Sequence, residues 1–146
     1  MKKVKGYIRA SYDSYAPYVA FTVPGWTGAY YPKNGVLFSD AKGGNFFYTD
    51  VDGAHHDGRL SPTFQAKDGE VYSFELEWDN IKGLATVVVN GVHKASLPAP
   101  TVPETEIPLK IAQPGYYAHW YDVPEYKRNV ALAAGLGIAY IVAKKR

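Results

Sequence analysis

The 146-residue sequence contains no cysteine and one methionine. Without cysteine there can be no disulfide bond, no thiolate zinc site and no thiol nucleophile. Neither sign of charge dominates, because 16 basic side chains stand against 14 acidic ones. The basic residues 1–5 lead into a strand-like stretch instead of the apolar segment of a secretory signal. We therefore expect cytoplasmic synthesis without a signal peptide, with any later location in a virion or at a membrane.

Residues typical of β-structure are abundant. Aromatic side chains make up 15% of the sequence and include 13 tyrosines, while 14 glycines and 10 prolines supply turns. This combination is typical of short strands joined by tight loops. Residues 125–146 hold five basic side chains and one acidic, so the rest of the chain is mildly acidic. Such a body lacks the clustered Lys and Arg of a nucleic-acid-binding protein, and no nucleic-acid partner is expected.

The clearest strand is predicted at 71–78. Its apolar side chains alternate with polar ones, which predicts one buried aromatic face and one solvated face that carries Glu75 and Glu77. The buried face would hold Tyr72, Phe74, Leu76 and Trp78.

A hairpin is predicted to follow, with strands at 84–89 and 92–97 around Asn90 and Gly91. A two-residue loop would place Val89 opposite Val92. We then expect one core-facing set, made of Leu84, Thr86, Val88, His93, Ala95 and Leu97.

Further strands are predicted at 4–11, 18–23, 35–39, 45–49, 63–66, 107–112 and 116–123, with turn signals between them. Many short strands without an amphipathic helix among them predict an all-β fold, an antiparallel β-sandwich or jelly roll over residues 1–124.

The run DGEVYSFELEW at 68–78, followed by a turn and ATVVVNGV at 85–92, resembles the core of concanavalin A-like (laminin-G-like) sandwiches. The resemblance implies a sandwich more than a particular ligand. The spacing of Glu75 and Glu77 is similar to the Glu-x-Glu pairs of some sandwich glycosidases. Their placement on the solvated face argues against catalysis, and no P-loop, dinucleotide fingerprint or nucleophile elbow is present.

Residues 125–146 break the β-pattern. The 14 apolar residues 130–143 follow Asn129, which is a good N-cap residue, and precede three basic side chains. This pattern predicts an α-helix of about 21 Å. This is short for a bilayer span, so the helix is expected either to anchor the chain to a membrane or to dock into a partner. The alternatives are a final buried strand and a core helix. The residues for anchoring or docking are Val130, Leu132, Leu136, Ile138, Tyr140, Ile141, Val142, Lys144, Lys145 and Arg146; Ala131, Gly135 and Ala139 have the spacing for helix packing.

Two loops are candidate binding sites. Asp50, Asp52 and Asp57 could supply oxygen ligands for Ca²⁺, and His55 or His56 could bind a transition metal or a sugar. The alternative is a pair of Asp-Gly turns with exposed histidines, and no metal or other cofactor is expected on balance. The second loop carries Trp26, Tyr30 and Tyr31, which suit either a sugar-stacking platform or a contact with another subunit.

The remaining histidines are weaker candidates. His93 is predicted on a half-buried strand face. His119 and Asp122 are three residues apart in a predicted strand, so they would point to opposite faces and form no dyad.

Two functions remain open. The first is a structural role, because a sandwich with a short, basic-ended apolar helix resembles a minor capsid or membrane-associated protein of a virus with an internal lipid layer. Its partners would be other subunits of the assembly and a lipid membrane. The second is a lectin-like carbohydrate-binding module, for which the missing signal peptide is awkward. A glycosidase using Glu75 and Glu77 is the third and weakest hypothesis, and we expect no enzyme.

Overall fold

A computed structural model describes residues 1–26 and 31–124. Tyr30 and the whole of 125–146 lie outside the described residues. The predicted C-terminal helix, with its anchoring, docking and packing residues, therefore stays a prediction.

The described residues form two antiparallel five-stranded sheets. In chain order the strands are β1 (Lys2–Arg9), β2 (Tyr18–Phe21), β3 (Gly35–Ser39), β4 (Phe46–Val51), β5 (Ala54–Gly58), β6 (Val71–Asp79), β7 (Leu84–Val89), β8 (His93–Pro98), β9 (Leu109–Ala112) and β10 (Tyr116–Tyr117). Sheet I has the order β10-β1-β6-β7-β8, and sheet II has the order β5-β4-β3-β2-β9. The described residues include two 3-10 turns, Glu104–Glu106 and Trp120–Asp122. The all-β sandwich-like architecture predicted from the sequence is thereby confirmed.

Met1–Tyr116 form one compact unit, and the described residues 117–124 belong to a second unit. The core of the first unit lies between the inner faces of the two sheets. The alternation predicted for β6 is confirmed, because Tyr72, Phe74, Leu76 and Trp78 are all buried. Phe38 of sheet II stacks on Phe74 of sheet I with ring centroids 5.5 Å apart. The indole Nε1 of Trp78 donates to the carbonyl oxygen of Pro100 at 2.8 Å, which satisfies the one polar atom of this fully buried ring.

The register predicted for the β7–β8 hairpin is wrong by one residue. Asn90 and Gly91 do make the turn, both with positive φ, and the amide of Val92 donates to the carbonyl oxygen of Val89 at 3.1 Å. Val92 is then an extra residue, so Val89 pairs with His93 instead of Val92. A one-residue shift exchanges the two faces of a strand.

The core-facing set predicted for the hairpin is consequently half wrong. In β7 the fully buried side chains are Ala85, Val87 and Val89, while Leu84 is exposed and Thr86 and Val88 lie on the outer face. In β8 the prediction holds: Leu97 is buried, and His93 and Ala95 are half-buried on the same side.

Other strand predictions met with mixed outcomes. Gly35–Ser39 is a strand as predicted, but 63–66 is an extended loop without ladder pairing. The strand β5 was missed, because its sequence, AHHDG, has no apolar alternation. The predicted strand 116–123 shortens to Tyr116–Tyr117 and continues into a 3-10 turn.

Candidate functional site

The outer face of sheet II is unusually apolar. In a two-layer sandwich this face meets water and is normally polar. Here Ala20 of β2, Leu37 of β3 and Tyr48 of β4 lie in one row across the sheet and are buried. Tyr18 and Phe46 pack against them. The apolar row thus supports larger aromatic side chains on the outside of the sandwich.

Four rings gather at the β4–β5 side of this face, and we call them the aromatic patch: Tyr31, Phe46, Tyr48 and His55. The Tyr31 ring lies 5.0 Å from that of Tyr48 and 5.8 Å from that of Phe46. The His55 ring meets Tyr48 edge to face at 4.4 Å. Burial, together with the nearby Asp50 carboxylate, raises the pKa of Tyr48. Tyr31 remains 49% exposed, so the patch presents ring surface to the solvent.

Beside the aromatic patch lies an open cleft of about 430 Å³, to which we refer as the cleft. Its walls come from the turn before β4, from the end of β5 and from the loop after it. Phe46 lines the cleft and also belongs to the aromatic patch, so the two surfaces are continuous. Apolar lining is supplied by Phe46, Phe47, Leu60 and Phe64, and polar lining by Asn45, Asp57, Arg59, Thr63 and Gln65.

A buried hydrogen-bonded cluster holds Asn45 at the wall of the cleft. The Asn45 Nδ2 donates to Asp40 Oδ2 at 3.0 Å and to the Tyr72 hydroxyl oxygen at 3.1 Å. The Tyr72 hydroxyl also donates to Asp40 Oδ2. Asp40 and Tyr72 are almost fully buried. Burial raises the pKa of Asp40 to about 6, although the bond from Tyr72 acts in the opposite direction, and burial also raises the pKa of Tyr72 strongly.

The exposed side of the cleft carries charge. His55 Nε2 lies 2.7 Å from Asp57 Oδ2, and both side chains are more than half exposed. Arg59, one residue past the end of β5, is exposed as well. The cleft therefore combines flat apolar rings, two amides, one carboxylate and one guanidinium, a set that suits hydrogen bonding to a polar ligand with an apolar face.

The structure separates two of the aromatic residues proposed as a platform. Tyr31 is in the aromatic patch, against β4 and β5, whereas the Trp26 ring lies under the Lys110 ammonium of β9 at 4.4 Å. The strands β4 and β9 are three steps apart in sheet II, which is roughly 14 Å. Tyr30 lies outside the described residues.

Two of the three carboxylates proposed for Ca²⁺ are engaged in other contacts. Asp50 Oδ1 accepts from the amides of Asn34 at 3.0 Å and Gly53 at 3.1 Å, so Asp50 braces the β4–β5 turn. Asp52 is exposed in that turn, and Asp57 pairs with His55. Within 1–26 and 31–124, no group of three or more His, Asp or Glu side chains is placed to hold a metal ion.

Glu75 and Glu77 lie on the outer face of sheet I, as predicted. Lys3 Nζ lies 2.7 Å from Glu75 Oε1 and 3.5 Å from Glu77 Oε2. These contacts, together with the charges of both carboxylates, raise the pKa of Lys3. The pair is a solvated ion cluster on the opposite sheet from the cleft.

Two histidines have structural contacts. His93 is half-buried as predicted, its Nδ1 is 2.7 Å from the carbonyl oxygen of Pro62, and its ring lies 4.9 Å from Phe64. His119 stacks on Tyr121 at 4.8 Å. The strand geometry used to separate His119 from Asp122 was wrong, because a 3-10 turn follows His119 and the Asp122 amide donates to its carbonyl oxygen.

Most residues of the cleft were not predicted from the sequence. Asn45 and Phe46 were placed in a predicted strand without a role, and Arg59 and Phe64 were not singled out. The sequence of β4 contained one clue to this surface: Phe46 and Tyr48, on the outer face, alternate with the core-facing Phe47 and Thr49. A strand that is aromatic on both faces indicates a second buried or ligand-binding surface.

No protein-family model, no curated protein and no solved structure matches this chain. Among the described residues, no helix has both the length and the apolar character needed to cross a membrane.

Proposed function

We propose that the chain is a non-catalytic binding protein and that the cleft, together with the aromatic patch, holds a carbohydrate. The proposal depends on one observation, namely that the rings of Phe46 and Phe64 line the same cleft as the amides of Asn45 and Gln65. A pyranose ring has apolar C–H faces and hydroxyl groups at its edge. Flat aromatic rings beside a few fixed polar groups are complementary to both.

The dimensions support this function. A cleft of about 430 Å³ falls within the usual range of small-ligand sites, which is about 300–1,000 Å³. The aromatic patch extends the apolar surface beyond the cleft through Phe46. A chain of several sugar units would therefore have stacking surface along Phe46 and Tyr31.

The carboxylates favour binding over hydrolysis. Most glycoside hydrolases use two carboxyl groups about 5–10 Å apart across the bond that is cleaved. Asp57 is the one carboxylate among the described residues that line the cleft, and it is paired with His55. Asp40 is buried beneath Asn45, and Glu75 and Glu77 belong to the other sheet.

The test is a glycan array, followed by affinity electrophoresis of the full chain in soluble polysaccharides. We expect retardation that Tyr31→Ala and Phe64→Ala both weaken. Tyr7→Ala is the matched control, because Tyr7 is a half-buried tyrosine on the outer face of sheet I. If binding is lost with Trp26→Ala while Tyr31→Ala and Phe64→Ala bind normally, the ligand sits at the β9 side and this site is wrong.

The second candidate is a structural role in a larger assembly, such as a minor capsid or membrane-associated virion protein. It is supported by the apolar segment 130–143 with its basic ends. It is also supported by the edge strand β9, where Leu109 and Ile111 are 44% and 36% exposed. Apolar side chains on an open sheet edge are typical of a surface that another subunit covers.

Flotation of the full chain with liposomes and light scattering after gel filtration test this candidate. A membrane-bound tail predicts flotation that Leu136→Glu with Ile138→Glu abolishes. An assembly through β9 predicts oligomers that Leu109→Glu disperses. A full chain that stays monomeric and does not float would eliminate the structural role.

A further inference from the structure

Arg59 is the one cationic side chain among the described residues that line the cleft. It follows directly on β5 and is exposed. Within the described part of the chain, no hydrogen bond or ion pair engages its guanidinium. An arginine that lines a ligand-sized cleft and is left unpaired there is available to a ligand.

The neighbouring carboxylate does not neutralise Arg59. Asp57 is two residues away and lines the same cleft. Its Oδ2 is instead 2.7 Å from His55 Nε2. No contact between Asp57 and Arg59 falls within ion-pair distance, and no other carboxylate of the described residues forms an ion pair with Arg59.

Both amides of the cleft use their nitrogen atoms for hydrogen bonds within the protein. Asn45 Nδ2 is used by Asp40 and Tyr72, and Gln65 Nε2 donates to the carbonyl oxygen of Gly43 at 3.2 Å. An ionised carboxylate can only accept, so the bond to Asp40 decides which end of the Asn45 amide faces inward. Among the described residues, the one buried side-chain polar atom without a partner is Oδ1 of Asn80. Oδ1 of Asn45 is thus not a buried atom without a partner, and Gln65 is exposed, so both amide oxygens can accept hydrogen bonds from ligand hydroxyls.

A ligand that covers Arg59 removes water from a guanidinium in a cleft that Phe46, Leu60 and Phe64 also line. Desolvating an unpaired charge next to apolar surface is costly, and the cost is offset when the ligand brings an opposite charge. The planar guanidinium fits a carboxylate with two parallel hydrogen bonds.

We propose that the cleft recognises an acidic sugar, a uronic acid or another carboxylate-bearing glycan unit, whose carboxylate pairs with Arg59. In this arrangement the sugar ring packs against Phe46 and Phe64, and its hydroxyls donate to Asn45 and Gln65. This inference rests on the proposed carbohydrate-binding function and specifies the class of sugar.

The experiment measures binding of the full chain to polygalacturonate, alginate and hyaluronan, and to the carboxyl-reduced form of each polymer. The reduced polymers keep the backbone and the hydroxyls and lack the charge. We expect at least one acidic polymer to bind about 10- to 100-fold more tightly than its reduced form, which is the range for a charge-assisted bidentate pair.

Arg59→Gln is expected to lower affinity for the acidic polymer to that for the reduced polymer, and to leave binding of the reduced polymer unchanged. Arg59→Lys should retain part of the preference, since an ammonium keeps the charge without the bidentate geometry. Lys5→Gln is the matched control, because it removes one exposed positive charge from the outer face of sheet I. Arg59 is exposed and unpaired, so its variants should fold like the parent chain, which circular dichroism checks.

The outcomes separate the two proposals. Equal binding of acidic and reduced polymers, unaffected by Arg59→Gln, overturns the acidic-sugar inference and leaves carbohydrate binding intact. Failure of every polymer and of the wider glycan array to bind overturns the proposed function itself. Equal losses of affinity from Arg59→Gln and Lys5→Gln would mean that the acidic polymer is attracted unspecifically by positive charge. Equally tight binding of polyglutamate would mean that a sugar is not required. Either result overturns the inference.

Discussion

Replacing Asp40 with asparagine should change how the stability of the sandwich depends on pH. Burial raises the pKa of Asp40 from its ordinary value of 3.8 to about 6 in the folded protein. Between these two values the folded state binds the proton and the unfolded state does not. The free energy of unfolding therefore falls as pH rises through this window. A difference of about two pKa units corresponds to roughly 3 kcal/mol, present in full below pH 4 and lost by about pH 7.

The assay is urea denaturation of the parent chain and of Asp40→Asn at several pH values between 4 and 7. Asparagine keeps an acceptor for the Asn45 amide and the Tyr72 hydroxyl but does not titrate. We expect the stability of the parent relative to the variant to fall by about 2–3 kcal/mol over the window, while the other carboxylates cancel in the comparison. Tyr72→Phe removes the hydrogen bond that lowers the pKa of Asp40, so it should move the transition to higher pH. A stability difference that stays constant from pH 4 to pH 7 would refute the reasoning.

Three further predictions concern packing and can be measured by denaturation at one pH. Val87→Ala should lower the free energy of unfolding by about 2 kcal/mol, because Val87 is fully buried, and Val88→Ala should lower it by less than about 1 kcal/mol. The reverse order would mean that Val88 faces the core, as the predicted two-residue register requires. Gly35→Ala should lower the free energy of unfolding by about 1–3 kcal/mol, since a Cβ there would collide with the carbonyl oxygen of Phe21. Gly44 has open space around it, so Gly44→Ala should change stability by less than about 0.5 kcal/mol; equal effects would contradict the close approach of β2 and β3. Trp78→Phe should lower the free energy of unfolding by about 2–4 kcal/mol, because it leaves a cavity in the core and an unpaired Pro100 carbonyl. A loss below about 1 kcal/mol would mean that the indole hydrogen bond does not contribute to stability.

The parts of the fold that the sequence predicts are those with a strong local period. The strand from Tyr72 to Trp78 could be read directly, since one apolar residue in two is the signature of a half-buried strand. The hairpin turn at Asn90 was also recognisable. Its register was not, because nothing local shows that Val92 is an extra residue, and one residue decides which face of β7 is buried.

The candidate site was much less predictable. Its residues come from the turn before β4, the end of β5 and the loop after it, and they meet only when sheet II is assembled. The hydrogen bonds between Asp40, Asn45 and Tyr72 join residues up to 32 positions apart and connect the two sheets. Local propensity carries no information on such contacts. Tyr31 was singled out because it belongs to an aromatic loop, but the residues that it contacts were not predicted.

The order of strands in the two sheets has a consequence for how the chain is made. β1 is paired with β6, whose last residue follows that of β1 by 70 positions. Sheet II likewise needs β9, near residue 112, to cover β2. At the usual 5–20 residues per second of translation, β1 waits roughly 4–14 s for its partner to be synthesised. During that interval β6 cannot yet pair with β1 or cover the apolar side chains of Val4 and Ile8. We therefore expect a newly made chain to be most susceptible to chaperone binding and to aggregation before β6 leaves the ribosome.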